Sequence, residues 1–447
     1  MSSIDLIWFR RDLRLRDLPS LLSAADSAAS AVAVFVLDDA LLRPGPRRTF
    51  LFGCLRRLDE DLGGRLLVTH GDPVRVIGSL ARELDVGAVH ISADFTPYGI
   101  RRDHAVAVAL GDVPLVPTGS PYAVAPGRVR KADGKPYKVF TPFRRAWLEH
   151  NWRPPALTSS ETVNWVDPTG LDCAVPIPVG DDGGVDLPPA GEGAALSRWD
   201  AFSDDGLARY HVDRDRPDLD ATTRLSPYLK FGCIHPRTLL ADLDNHRGDG
   251  ATALRSELGW REFYADVLYH RPDTLRANHN PRFDAIRYNT GATADAAFAA
   301  WTQGRTGFPI VDAGMRQLLA QGWVHNRVRM IVASFLTKDL HLPWWWGARH
   351  FMAHLVDGDL AANQHGWQWT AGSGTDAAPY FRVFNPTRQG EKFDPDGDYV
   401  RRWVPELRAV AGMQVHQLPG VRPPGYPDPI VDHAVERKEA LARYREV

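Results

Sequence analysis

The chain has 447 residues, 44% apolar and 24% charged, with a formal net charge of -2; this is the ordinary globular range and excludes a disordered or collagen-like protein. The longest apolar stretch, Ala28 to Leu37, is far short of the roughly 18 residues of a membrane span. The balanced charge gives no global attraction to nucleic acid, and the scattered Cys54, Cys173 and Cys233 predict neither a disulfide framework nor a metal cluster.

At about 150 residues per domain the length predicts two or three domains, two being the starting count. The N-terminus lacks an apolar h-region, which makes a cytoplasmic protein the expectation. Up to about residue 125, short apolar runs (Ile4 to Phe9, Ala31 to Leu37, Arg65 to Thr69, Ala88 to Ser92) alternate with helical stretches such as Thr49 to Leu62 and Pro73 to Leu84. That alternation predicts a parallel α/β sheet. From about 153 to 195 Pro, Gly, Ser and Asp dominate, Asp181, Asp182, Gly183 and Gly184 among them, as expected of an exposed connection. Beyond it, periodic stretches such as Ala251 to Tyr269 and Val311 to Ala320 predict an all-α half. The domain plan is an α/β domain over 1–130, a connection over 131–195 and a helical domain over 196–447.

Several motifs fail. His350 and His354 are spaced as on a zinc-protease helix, but Phe351 replaces the Glu, so two packed histidines are expected. Asp394, Asp396 and Asp398 imitate a calcium loop, but Gly397 comes too early and Pro405 stands in the twelfth position; a solvated turn is the reading. There is no P-loop and no GxGxxG after the first strand, and no metal site is expected.

Other segments carry chemistry. Thr222, Thr223, Arg224, Leu225 and Ser226 stand before a helix expected to have Ser226 as N-cap and Pro227 at N1, a setting that suits phosphate; alone, the segment reads as a plain capped helix. Glu257, Trp260, Arg261 and Tyr264 follow i, i+3, i+4, i+7, placing two charges and two aromatics on one stripe. The bland alternative is a surface Glu257–Arg261 pair. Asn326, Arg329 and Met330 form a second stripe. Residues 357 to 369 combine Asp357, Gly358, Asp359, Asn363, Trp367 and Trp369 among small residues, and ten of the fourteen Trp lie from Trp199 onward.

This last run, with residues 377–386 after it, resembles the flavin domain of class I photolyases and cryptochromes. The resemblance extends to Trp8, Phe9, Arg10, Arg11, Asp12, Leu13 and Arg14, to Lys138, Val139, Phe140, Thr141, Pro142 and Phe143, and to Arg224, Leu225, Ser226, Pro227 and Tyr228. It implies a helical domain holding FAD at Tyr210, Thr222, Thr223, Arg224, Leu225, Ser226, Glu257, Arg261, Asn326, Arg329, Asp357, Gly358, Asp359 and Asn363, with Asn363 facing flavin N5. It implies a lesion pocket of the cyclobutane-dimer branch at Glu257, Trp260, Asn326, Arg327, Met330 and Trp369, the two indoles walling an extruded dimer. Arg382 and Arg388 correspond to phosphate contacts, or to solvated surface arginines.

The implied activity is light-driven DNA repair by electron donation from photoexcited FADH⁻ to the dimer, acting on UV-damaged DNA as a monomer. Trp367 and Trp344 match the first two members of the family's photoreduction chain. The third is absent, since Asp284 to Ala300 contains no Trp, and Tyr288 is the nearest substitute. Leu254 stands where some relatives carry Trp. The antenna pigment is expected to be an 8-hydroxy-deazaflavin rather than methenyltetrahydrofolate, because Thr96 replaces the Glu of folate-binding relatives. The rival reading is a cryptochrome-like blue-light sensor, since fold and flavin do not fix function; a strand-binding flavoprotein and a six-four photoproduct enzyme, whose branch places a His pair by the lesion, are weaker.

Overall fold

The structure is a computed structural model that describes all residues except 1–3, 182, 380 and 419–421; Asp182 of the expected connection and Tyr380 of the photolyase-like run lie outside the described residues. The apolar runs form strands β1 (Ile4–Phe9), β2 (Ser30–Leu37), β3 (Leu66–His70), β4 (Val89–Ile91) and β5 (Leu115–Pro117), with helices α1 (Pro19–Ser27), α2 (Pro46–Asp61), α3 (Pro73–Glu83) and α4 (Pro97–Leu110) between them. All pairings are parallel, in the order β3-β2-β1-β4-β5. The strand side chains alternate. Leu6, Trp8, Val32 and Val34 pack with Ile77 and Leu80 of α3, whereas Ile7, Phe9, Ala33 and Phe35 join a core that runs on into the helical half through Leu225, Tyr228 and Phe231. A period-2 pattern that is apolar on both sides is what a sheet covered on both faces requires.

The strand order reverses between β1 and β4, and in open α/β sheets the crevice outside the strand ends at such a point receives ligands. Here the ends of β1 and β4 deliver Arg10, Arg11, Ser92, Ala93 and Asp94 to one small cleft, and Arg11 reaches from it into the helical half.

That half comprises α6 (Glu192–Asp205), α7 (Tyr210–Asp213), α8 (Ser226–Phe231), α9 (Pro236–Leu243), α10 (Asp249–His270), α11 (Gly291–Thr302), α12 (Pro309–Gln321), α13 (Asn326–Ser334), α14 (Trp344–His354), α15 (Leu360–Ala371), α16 (Pro386–Phe393), α17 (Asp398–Trp403) and α18 (His433–Arg445), preceded by α5 (Phe140–His150). The stretch expected to be an exposed connection is not simply exposed. Val163 and Trp165 are buried, and Asn164 and Val166 hydrogen-bond Ala31 at the start of β2, because apolar residues inside the polar run cover the first residues of β2, which precede its pairing with β3. Two further expectations are corrected. Ser226 is the first residue of α8, not its cap, and makes no capping bond. Asp394 is fully buried, accepting from the N–H groups of Tyr399 and Val400; a helix start, not solvent, takes its charge. His350 and His354 do pack, with rings 4.3 Å apart.

Candidate active site

Helix α10 is long enough to present the whole Glu257–Trp260–Arg261–Tyr264 stripe, but its residues choose partners outside the helix. Arg261 donates to the carbonyls of Pro121 (3.0 Å) and Leu229 (3.2 Å) and lies 4.7 Å over the Tyr122 ring. Glu257 is held by Arg214, whose Nη1 is 2.5 Å from Oε1. The alternative of a Glu257–Arg261 pair is therefore not met among the described residues: backbone carbonyls outcompete a helix-surface partner. Next to Arg214, Asp215 accepts from Arg327 at 2.8 Å. One short segment after α7 thus carries the counter-charges of both charged lesion-pocket candidates. Burial pushes the Glu257 carboxyl above its ordinary value, with Arg214 the main opposing influence. Neither Arg214 nor Asp215 was singled out from sequence, since their partners are more than 40 positions away.

Trp260 is stacked on Phe140, with centroids 3.7 Å apart and planes 14° from parallel, and Tyr264 stands beside it at 5.3 Å. Trp260 and Trp369 are half-buried, as are Arg327 and Met330, while Asn326 is exposed at the start of α13. Arg327 also lies 4.4 Å over Phe393. Arg382 and Arg388 are exposed. Leu254 is buried in the core.

The Thr222–Ser226 segment is braced from behind. Arg198 donates to the carbonyls of Thr222 (2.9 Å) and Thr223 (3.0 Å), and Thr223 Oγ1 accepts from the Leu225 N–H. Arg224 takes a left-handed φ of 50° and lies 4.2 Å over Trp323, whose indole donates to Ser226 Oγ. With its carbonyls occupied, the segment leaves the first N–H groups of α8 without a side-chain cap, as an anion site requires. Tyr210 is buried against Phe202.

Asp359 caps α15 through the N–H groups of Ala361 (3.0 Å) and Ala362 (3.2 Å) and meets Arg11 of the α/β domain at 2.7 Å. Burial opposes its ionisation, but Arg11, Lys230, Arg261 and the Ala362 N–H together hold its carboxyl well below the usual range. Burial, then Arg11, draws the Lys230 amine down to about 7. Asp357 is paired with Arg329 at 2.7 Å and keeps its buried Oδ1 without a partner among the described residues. Asn363 donates through Nδ2 to Ala348 O and Gln364 Oε1, which fixes its amide orientation. A Cβ on Gly366 would meet open space, whereas one on Gly358 would lie 2.6 Å from Arg47. An unpaired carboxylate oxygen, an oriented amide and uncapped helix N–H groups suit the polar ring edge and phosphates of a flavin nucleotide, so the residues present fit FAD.

Of the aromatic candidates, Trp367 and Trp344 are buried and Tyr288 is half-buried. Trp367 packs against Gly347, where a Cβ would sit 2.1 Å from its ring. Trp344 donates its indole proton to Asn278 Oδ1 at 2.9 Å and lies 5.8 Å from Trp345, and Tyr288 lies 5.3 Å from Trp345. Tyr288 therefore joins Trp344 through Trp345, a residue not singled out from sequence.

Comparison with known proteins bears on the whole chain. Residues 254–446 match the FAD binding domain of DNA photolyase, and residues 5–160 match DNA photolyase. A deoxyribodipyrimidine photo-lyase of Halobacterium salinarum is 40% identical across 99% of this chain and 98% of its own. One from Streptomyces griseus is 41% identical over 99% and 98%. Among solved structures, a bacterial class III photolyase from Agrobacterium tumefaciens has a TM-score of 0.92 at 37% identity, covering 100% of this chain and 98% of that one. A Synechocystis cryptochrome has a TM-score of 0.90 at 28% identity, covering 99% of each. Identity at this level along nearly the full length, on the same sheet and helical wall, means that the chain belongs to the DNA photolyase family.

Proposed function

We propose that this chain repairs cyclobutane pyrimidine dimers in DNA, using light and FAD. What supports the reading is that α15, which carries Asn363 and is capped by Asp359, packs on both α10, which carries Glu257 and Trp260, and α13, which carries Asn326 and Arg327. Reduced FAD, when bound, supplies the electron that splits the dimer and takes it back afterwards; a cofactor carries such chemistry while the protein orients and tunes it.

The chain's own groups do the rest. Thr222 to Ser226 and the start of α8 hold the pyrophosphate, and Arg329–Asp357 and Asn363 fix the polar edge of the ring system. Trp260 and Trp369 stack on the extruded bases; photolyases are among the enzymes known to flip their target nucleotide. Glu257 accepts a hydrogen bond from the pyrimidine edge and stabilises charge developing there. Arg214 and Asp215 keep Glu257 and Arg327 aimed before DNA arrives. Arg382 and Arg388 contact phosphates.

The class I placement rests on the runs around Trp8–Arg14 and Asp357–Trp369; the likeness to a class III photolyase favours a second placement. For the antenna we favour an 8-hydroxy-deazaflavin over methenyltetrahydrofolate, on Thr96, which here caps α4 through the Gly99 N–H. An archaeal photolyase with two FAD molecules, similar at a TM-score of 0.87 and 29% identity, favours a flavin as the other reading. The absorption of pigment co-purified from the native host decides between them. Tyr288 is read as a terminal electron donor, and Tyr288→Phe loses the tyrosyl signal in time-resolved photoreduction. The protein is read as a cytoplasmic monomer; no described helix is long and apolar enough to cross a membrane.

The test mixes reduced, FAD-loaded protein with an oligonucleotide carrying one thymine dimer and follows thymine absorbance under blue light against a dark control. Light-dependent recovery is expected. Binding with no recovery from fully reduced flavin favours the cryptochrome-like sensor.

A further inference from the structure

Helix α5 begins without a cap of its own. Val139 stands at its N-cap position and offers no side-chain acceptor. Instead the Phe140 N–H donates to Asp376 Oδ2 at 2.9 Å, a bond that spans 236 positions. The adjoining Thr375 is buried and donates through Oγ1 to Lys138 O at 2.8 Å. Two successive residues of the loop after α15 thus hold the start of α5. Asp376 takes a left-handed φ of 47° to do so, a conformation that Asp tolerates better than most residues, and its carboxylate meets the positive end of the α5 dipole.

Each end of this tie leads to a residue read above as a wall of the lesion pocket. Toward α15, the loop is seated on the backbone at Trp369. The Ala378 N–H donates to Trp369 O at 3.1 Å, and the Ser373 and Gly374 N–H groups donate to Gln368 O at 3.1 and 3.0 Å. A Cβ on Gly374 would lie 3.0 Å from Trp369 N, so the loop lies against that backbone with no room to shift. Toward α10, Phe140 is buried and is the ring on which Trp260 stacks, 3.7 Å away and 14° from parallel. Phe263 braces both from the side, 5.8 Å from Phe140 and 5.7 Å from Trp260. The plane of the Trp260 indole therefore follows that of Phe140, the first residue of the helix that Asp376 caps.

We propose that Asp376 is a positioning residue for lesion recognition: capping α5 from the loop that follows α15, it fixes Phe140, and through it the Trp260 plane, relative to Trp369. The inference rests on the reading of Trp260 and Trp369 as the walls that stack on the extruded bases. Packing of α15 on α10 sets the separation of the walls; the Asp376 tie sets the tilt of one against the other. Stacking gains most when ring planes lie near parallel at contact distance, so tilting one wall costs dimer binding. Contacts to phosphates are made elsewhere and carry no such requirement.

The test uses FAD-loaded protein in the dark, with fluorescence anisotropy of a duplex carrying one thymine dimer and of the same duplex undamaged. FAD content and melting temperature are measured for every variant. Asp376→Gly removes the carboxylate while favouring the left-handed backbone. It is expected to weaken dimer binding about tenfold, within the worth of one base–aromatic stack, and to leave binding of undamaged duplex unchanged. Asp376→Asn keeps an acceptor oxygen and is expected to keep dimer affinity. In Asp376→Gly/Val139→Ser a local cap returns to α5, since Ser at an N-cap accepts from the first turn. There the melting temperature is expected to recover and dimer affinity to stay low, because a local cap does not reach Trp369. Asp376→Gly/Trp260→Ala is expected to bind dimer no more weakly than Trp260→Ala alone, as a residue acting through Trp260 must. Thr375→Val loses the neighbouring bond and is expected to give the same selective loss at a smaller size; it decides the matter where Asp376→Gly fails to hold FAD.

Unchanged dimer affinity in Asp376→Gly, equal losses on both duplexes, or an additive loss with Trp260→Ala overturns the proposal. So does a return of dimer affinity together with the melting temperature in Asp376→Gly/Val139→Ser, which is what a purely structural cap gives. Unchanged dimer affinity in Trp260→Ala overturns the wall reading and the proposal with it, whereas a selective loss there leaves the Asp376 variants to judge the proposal alone.

Discussion

Asp359→Asn isolates one charge at the junction of the two halves. Asn caps a helix about as well as Asp, so the bonds to Ala361 and Ala362 survive while the ion pair with Arg11 is lost. The two side chains are 15% and 16% exposed. Removing one partner of a buried pair costs about 3–5 kcal/mol; residual exposure puts this case near the lower end, at about 3 kcal/mol. Asp359→Ala removes the cap too and costs about 1 kcal/mol more. Combining Asp359→Asn with Arg11→Met leaves no stranded cation, and contacting residues of this kind show coupling of about 2–3 kcal/mol. Because the folded carboxyl is held below its ordinary value, its contribution is complete above the unfolded Asp value of about 3.9 and is lost as pH falls through the folded value. Urea denaturation of the FAD-loaded chain, followed by circular dichroism at pH 7.5 and in a series descending below pH 4, reads all of this. A midpoint for Asp359→Asn equal to that of the unaltered protein at pH 7.5, or strict additivity in the double variant, refutes the reasoning.

Three other outcomes are expected. Glu262 is buried and accepts from the N–H groups of Ala123 and Val124 and from the Trp147 indole, yet burial outweighs these bonds and pushes its carboxyl up to about 7. Its contribution is therefore present below the unfolded Glu value of about 4.3 and is lost as pH rises through about 7. Glu262→Gln flattens that slope in thermal unfolding between pH 5 and 8, and parallel slopes contradict the assignment. Gly347→Ala drives a methyl into the Trp367 ring, costing about 1–3 kcal/mol as overpacking and slowing flavin photoreduction; an unshifted melting temperature and unaltered transient absorption count against the contact. Trp260→Ala weakens dark binding of a dimer-containing oligonucleotide by about 1–3 kcal/mol, the usual worth of a base–aromatic stack, while leaving undamaged duplex unchanged in fluorescence anisotropy. Equal losses on both DNAs place Trp260 away from the lesion.

Features that depend on near neighbours are legible in the chain alone. Strand β1 runs from Ile4 to Phe9 as its apolar run predicts, and α10 extends only a few residues beyond Ala251 to Tyr269, because burial of a strand or helix face imposes a period of 2 or 3.6 on contiguous residues. The resemblance likewise rests on contiguous runs, and it is what implies roles for Glu257, Asn363 and Trp367. Partners distant in the chain are set by folding. Spacing alone allows Glu257 to pair with Arg261 four places on, but Arg261 is drawn to the carbonyls of Pro121 and Leu229 and Arg214 takes the carboxylate. Arg11 and Asp359 are 348 positions apart, and Trp165 needed the start of β2, ahead of its pairing with β3, to become buried. Asp376 reads in the sequence as one more loop acid; only folding sets it at the start of α5. Periodicity is written locally, whereas a charge or a ring settles on whichever competing group is near once both are withdrawn from water, and that competition is resolved only in the folded chain.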